Sequence, residues 1–274
     1  LTQVTLKNKA AIALMQDSGA LLAQVFKALD EHVKPGVTTL QLDEFVEHYI
    51  VEVLGAIPAS KGQYGYPYSI NTSVNEVVCH GMPSARQVIA KEDILNIDIT
   101  LKHQGYIADS SKMYIMPQAN ATARSLVDDT ITALWRGIEQ VKPGATLGDI
   151  GHAIGDFARL KGLSVVREYC GHGIGTQMHE APEVLHFGRP GTGLKLEPGM
   201  TFTIEPMLNR GSHRVKTLKD GWTVVTRDRA LSAQAEHTIL VTPTGFEVLT
   251  LREEEKAAGL LATELPTKYS AQAQ

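Results

Sequence analysis

Apolar residues recur every three or four positions at Ile12, Met15, Ala20, Leu22, Val25 and Leu29, and again at Leu126, Ile131, Leu134 and Ile138. That spacing predicts two long amphipathic helices. The same short phrase follows each: Val33-Lys34-Pro35-Gly36-Val37-Thr38 after the first and Val141-Lys142-Pro143-Gly144-Ala145-Thr146 after the second. Proline and glycine stop a helix, and a threonine beyond them is placed to cap the next one, Thr39 in the first copy and Thr146 in the second. Both halves thus begin helix, turn, helix. The pattern then changes to apolar strands, Ile94-Leu95-Asn96-Ile97-Asp98-Ile99-Thr100 in one half and Met200-Thr201-Phe202-Thr203-Ile204-Glu205 in the other. Asp98 and Glu205 are separated by almost the same offset as the repeated turns. A repeat that sets a carboxylate at one point of an apolar strand in each half predicts two related αβ halves, about 1–118 and 119–252, closing around a shared site.

Asp98 and Asp109 are equidistant from the His103-Gln104 bond, so a hairpin centred there sets them directly opposite each other. Facing carboxylates repel, and one must hold a proton unless a cation lies between them. Glu205 and Glu236 are likewise equidistant from Asp220-Gly221, a strong hairpin signal, although one bulge in so long a connection would shift the register. A single acidic residue in a strand is ordinarily a solvated edge; four in two corresponding hairpins outweigh that reading.

Tyr169-Cys170-Gly171-His172-Gly173-Ile174-Gly175 follows the apolar strand Leu163 to Val166 and puts His172 in a glycine-rich loop, where a ligand can approach the main chain. The loop is not a dinucleotide fingerprint, because the third glycine comes one position early and no helix follows. Two divalent ions would balance four carboxylates, and the imidazole biases such a site toward Mn, Fe, Co or Zn over Mg or Ca.

Composition narrows the classes further. A chain of 274 residues that is 43% hydrophobic can bury a sizeable core, while a net charge of -4 offers no global positive field for DNA or an anionic membrane. Cys79 and Cys170 are too few for a disulfide framework; a reducing, cytoplasmic setting is expected, with each thiol a small buried hydrophobe. Lys7, Lys9 and Asp17 interrupt any apolar leader, and no stretch is apolar enough to span a bilayer. The basic run Arg210, His213, Arg214, Lys216 and Lys219 reads as a solvated hairpin, with ribosomal RNA as the alternative contact. The tail 253–274, rich in Glu, Ala and Gln, is expected to be a frayed helix or flexible.

Up to about Arg252 the chain resembles the type I bacterial methionine aminopeptidases. The resemblance rests on Asn75-Glu76-Val77-Val78-Cys79-His80-Gly81, Asn96-Ile97-Asp98-Ile99-Thr100, the Tyr169 to Gly175 motif, Phe202-Thr203-Ile204-Glu205-Pro206 and Ala235-Glu236-His237-Thr238, in family order. It implies an α+β pita-bread fold: one catalytic domain over 1–252, with pseudo-two-fold halves and mainly antiparallel sheet around a dinuclear metal site. It further implies Asp98, Asp109, His172, Glu205 and Glu236 as ligands of two divalent ions (Co, Mn, Fe or Zn), with His80 and His179 as catalytic histidines outside that set. In the implied mechanism a hydroxide between the metals attacks the first peptide carbonyl and Glu205 shuttles the proton. His179 steadies the tetrahedral intermediate, His80 contacts the scissile nitrogen, Asp98 receives the free amine and Thr100 orients a ligand.

The implied substrate is the N-terminus of a nascent polypeptide, from which a monomeric enzyme removes the initiator methionine when the second residue is small. Ser60, Gln63, Tyr66, Asn71, His80, Met178, His179 and Trp222 would line the substrate pocket. Tyr66, His80 and Trp222 match the family pattern, whereas Ser60, Gln63, Asn71 and Met178 stand where relatives more often have Cys, Tyr, Cys and Phe. Because an unpaired buried amide costs about 1 to 3 kcal/mol, Asn71 is expected to be hydrogen-bonded or partly hydrated. Proline dipeptidases share the five ligands but carry an extra N-terminal domain, for which the residues before Asn75 leave no room. Type II enzymes carry a helical insertion that the stretch from Glu205 to Glu236 is too short to hold. A metal-free binding protein on this fold would be marked by a lost ligand, and all five positions are filled.

Overall fold

The computed structural model describes residues 3–258. Helix α1 (Lys9–Leu29) starts where Asn8 accepts a hydrogen bond from the Ala11 amide, and buries Met15, Leu22, Val25, Phe26 and Leu29 along one face. Helix α2 (Thr39–His48) is capped by Thr38, one residue before the position expected from the sequence, with Gln41 completing a reciprocal capping box. Thr39 turns its hydroxyl instead to the Ser84 carbonyl. Helices α3 (Ala121–Ile138) and α4 (Leu147–Leu160) repeat the arrangement, with Thr146 and Asp149 forming the box.

The repeat extends to the backbone hydrogen bonds. Gly36 and Gly144 both adopt positive φ, 92° and 84°, which stops the chain from continuing as helix. The Gly36 amide donates to Ile89 and the Ile89 amide to Val37; the Gly144 amide donates to Leu196 and the Leu196 amide to Ala145. Each half builds its own core, one around Phe26, Leu42, Ile70 and Ile97, the other around Leu134, Trp135, Ile154 and Phe202.

Every strand pairing among the described residues is antiparallel. In the first half the strand Ile94–His103 is central, flanked by Tyr106–Ile115 on one side and by Ile70–Val74 and Ile57–Pro58 on the other. The second half has a five-stranded sheet running Phe246–Val248, His237–Val241, Thr201–Ile204, Gly171–Gly173, Glu180–Val184. A seam joins the halves. The Asp109 amide donates to Thr238 Oγ1 at 3.1 Å, the Thr238 hydroxyl donates to the Asp109 carbonyl at 2.7 Å, and the Ser110 hydroxyl donates to the Glu236 carbonyl at 2.7 Å. That stitching brings the acidic strand of one half against that of the other.

The first hairpin corrects its expected register. His103 faces Tyr106 across a two-residue loop, Gln104-Gly105, with φ of 46° and 87°, as a tight hairpin turn demands. Asp98 therefore faces Ser111 and Asp109 faces Thr100, so the two carboxylates are diagonal neighbours on one face rather than direct partners. In the second, longer connection Ile204 faces His237 and Met207 faces Gln234, which puts Glu205 and Glu236 opposite each other as expected. No bulge intervenes between these pairs.

The segment after Arg252 begins as a docked helical turn, α5 (Glu253–Ala257), with Glu255 bonded to the Arg252 amide and to buried His237. The remainder of the expected flexible tail lies outside the described residues.

Candidate metal centre and active-site cleft

A cleft of about 670 Å³ opens at the seam. All five expected ligands line it, with His80, His179 and every expected pocket residue: Ser60, Gln63, Tyr66, Asn71, Met178 and Trp222. Atoms of Asp109, His172 and Glu236 lie within 4.8 Å of one another, and His172 Nε2 is 3.7 Å from Asp109 Oδ2 and 3.6 Å from Glu205 Oε1. The Asp98 and Asp109 carboxyls are in hydrogen-bond contact.

Each donor is aimed by a neighbour. Thr100, opposite Asp109 in the ladder, donates to its Oδ1 at 2.9 Å. Thr203 donates to Glu205 Oε1 at 2.8 Å and Gln234 to Oε2 at 3.3 Å, while the Glu205 amide donates to Nε2 of His186, a fully enclosed imidazole. His172 holds Nδ1 3.0 Å from the Gly173 carbonyl; a proton there leaves the Nε2 lone pair facing the carboxylates, the arrangement a ligating imidazole needs. The short strand Gly171–Gly173 admits no side chains beside His172: a Cβ on Gly171 would sit 2.3 Å from the Thr203 carbonyl oxygen, and one on Gly173 2.1 Å from that of Ala181.

The electrostatics call for a cation. Burial, then the neighbouring carboxylates, push Asp98, Glu205 and Glu236 well above the usual range, and burial lifts Asp109 to about 6 against the lowering hydrogen bonds from Thr100 and Asp98. The Arg252 guanidinium relieves Glu236 only slightly. Burial and the nearby His179 lower His172 to about 4, so it is a neutral, metal-competent imidazole at pH 7. Four acidic side chains and one neutral imidazole thus converge without a balancing side-chain charge, a donor set that fits divalent ions with mixed oxygen and nitrogen preference.

Several groups at or behind the cleft were not legible in the sequence. Tyr64, three-quarters exposed, stacks on His179 with ring centroids 5.8 Å apart, its hydroxyl 3.4 Å from His179 Nδ1. Both cysteines line the cleft; Cys170 is only half-buried, whereas Cys79 is buried as expected. His186 carried no motif, and a lone histidine reads as a core residue. Glycines at 62 and 65, bracketing Tyr64, were the one hint of its unusual loop.

Fold and site together define a metal-dependent hydrolase built from two αβ halves around a buried polycarboxylate centre. More particularly, the chain belongs to metallopeptidase family M24, which matches residues 13–243. It is 47% identical over 258 residues to the methionine aminopeptidase of Salmonella typhimurium strain LT2, an alignment covering 94% of this chain and 98% of that protein. The crystal structure of methionine aminopeptidase from Rickettsia prowazekii matches with a TM-score of 0.89 at 45% identity, over 91% of this chain and 100% of the other. An Xaa-Pro dipeptidase from Bacillus anthracis shares the fold at 23% identity and a TM-score of 0.71, with 90% of this chain matching 63% of that one.

Proposed function

We propose that this peptidase is a methionine aminopeptidase that removes the initiator methionine from nascent polypeptides whose second residue is small. The observation that carries the reading is the convergence of Asp98, Asp109, His172, Glu205 and Glu236 beside His80 and His179 in one cleft, on a chain nearly half identical to named methionine aminopeptidases. Those five residues would hold two divalent ions, Co, Mn, Fe or Zn, within a single catalytic domain over 1–252. Bound ions supply Lewis-acid polarisation of the scissile carbonyl and a water acidic enough to attack at neutral pH.

The chain's own groups do the rest. Glu205, held by Thr203 and Gln234 at the cleft, takes the proton of the attacking water and returns it to the departing amine. His179, lowered from its ordinary value by partial desolvation at the cleft mouth, presents an N–H to the oxygen on which negative charge develops. His80, lowered to about 4 by burial and then by His179, stands edge-on to the Tyr169 ring at 5.4 Å and steadies the scissile nitrogen. Asp98 pairs with the positive amine of the first residue, a charge that no internal residue of a peptide carries. This pairing confines cleavage to the first bond. The protein acts as a cytoplasmic monomer, and exposed Arg210, Arg214, Lys216 and Lys219 provide a basic face for transient ribosome contact.

The metal-loaded protein should release free methionine from Met-Ala-Ser and leave the N-acetylated peptide intact. Equal cleavage of both, followed by mass spectrometry, would remove Asp98 from the amine role; cleavage of neither would end the aminopeptidase reading.

A further inference from the structure

Asn71 meets its expectation through the second of the two routes: its amide finds no protein partner, yet it is not among the buried polar atoms sealed from solvent and so stays open to the cleft. It is 9% exposed, lines the cleft, and its carboxamide makes no hydrogen bond among the described residues. It stands opposite Asp98 in the ladder between Ile70–Val74 and Ile94–His103, but the two side chains are not bonded to each other. Nearby Ser60 is 6% exposed and spends its proton on Thr100 Oγ1 at 3.3 Å. Half-buried Gln63 also has no side-chain hydrogen bond among the described residues.

Other groups lining the cleft are largely apolar. Tyr66 meets Trp222 edge to face at 5.0 Å, its hydroxyl already committed to the Ile70 carbonyl at 2.9 Å, and buried Met178 adds a thioether. An unbranched side chain entering this cleft displaces water from among aromatic rings, a thioether and an amide that has no protein partner. A thioether leaves that amide unpaired. An oxygen on the δ atom would satisfy it.

We propose that this pocket takes, besides methionine, a first residue of methionine's length bearing an oxygen on its δ atom, with methionine sulfoxide the substrate and Asn71 the donor to the sulfoxide oxygen. The inference rests on the aminopeptidase reading above and adds a substrate class to it. The reaction is the same hydrolysis: water adds across the first peptide bond, a proton goes to the departing amine, and free methionine sulfoxide leaves with its sulfur oxidation state unchanged. The protein would then clear oxidised as well as reduced first residues from peptides. Glutamine offers the same δ-carbon oxygen with an added amide, and a separate peptide distinguishes it.

The test is a competition in one mixture of Met-Ala-Ser, its sulfoxide, Gln-Ala-Ser and norleucine-Ala-Ser, with metal-loaded protein, each product quantified by mass spectrometry. The sulfoxide peptide should be cleaved within about tenfold of the methionine peptide in kcat/KM, and Asn71→Leu should lower the sulfoxide-to-methionine ratio by about tenfold or more. Asn71→Val, suited by its branching to a strand, repeats the measurement if the leucine variant folds poorly, and the ratio within one mixture is independent of the folded fraction. Discrimination against the sulfoxide by more than about a hundredfold in the unaltered protein overturns the inference while methionine cleavage preserves the aminopeptidase reading. An unchanged ratio in both variants removes Asn71 from the role. Cleavage of the glutamine peptide but not the sulfoxide overturns the sulfoxide assignment, and cleavage of none overturns both readings.

Discussion

Thr100 donates to Asp109 Oδ1 and accepts from Ser60, so one hydroxyl fixes the rotation of a carboxylate that is otherwise surrounded by like charges. Thr100→Val should weaken divalent-ion affinity by about 10- to 100-fold in calorimetric titration, the usual cost of removing a group that orients a ligand. Unchanged affinity would show that Asp109 needs no such guide. His179 contacts His172 ring to ring at 4.4 Å yet stands at the exposed mouth of the cleft, a position suited to the substrate rather than to an ion. His179→Ala should lower kcat by about 10²-fold with bound metal unaltered, and a rise in KM alone would assign it to ground-state binding instead. At this scale the sequence was legible wherever a residue sat inside a family motif. His186 and Tyr64 escaped because their roles come from what the fold places beside them, the Glu205 amide and the His179 ring.

Elements show the complementary lesson. The first hairpin turns one residue later than its sequence suggests, because a loop that takes positive φ at two successive residues announces itself only through Gly105; Gln104 gives no sign of its 46°. Because the resulting shift in partners is even, Asp98 and Asp109 stay on the same face and the shared site is kept. The longer second connection keeps the register its sequence suggests, because the strands on either side of Glu205 and Glu236 share one alignment. Thr38 replaced Thr39 as cap for a related reason: the repeat places it opposite Thr146 more faithfully than local spacing did. The docking of α5 was not legible at all, because it depends on His237, a strand residue that the fold buries beside it. Burial alone would raise the Glu255 carboxyl, but the Arg252 guanidinium and His237 more than offset that and hold it at about 2. A carboxyl lowered by folding stabilises above its unfolded value near 4.5 and loses that contribution as pH falls toward 2. Glu255→Gln should therefore cost on the order of 3 kcal/mol at neutral pH, with the gap narrowing at about pH 3 in urea unfolding. A gap independent of pH would mean that the charge is immaterial to the docking.

Across the whole molecule, two halves with separate cores meet at a seam where each contributes acidic side chains, Asp98 and Asp109 from one and Glu205 and Glu236 from the other. Neither half alone assembles the full donor set, and without a cation the assembled set repels itself. The duplication was legible in the turns and the carboxylate offset; the seam was not, because its bonds between Asp109, Ser110, Glu236 and Thr238 join strands with no shared sequence signal. The central claim is that this convergence exists to hold divalent ions for peptide hydrolysis. Its most direct test is to strip the protein by exhaustive chelation, verify by elemental analysis that it is metal-free, and add back Mn(II) stepwise while measuring bound metal and Met-Ala-Ser cleavage in the same samples. The account predicts no turnover in the stripped protein and activity that rises with metal uptake and stops rising by two ions per chain; full turnover in the verified metal-free protein would contradict it.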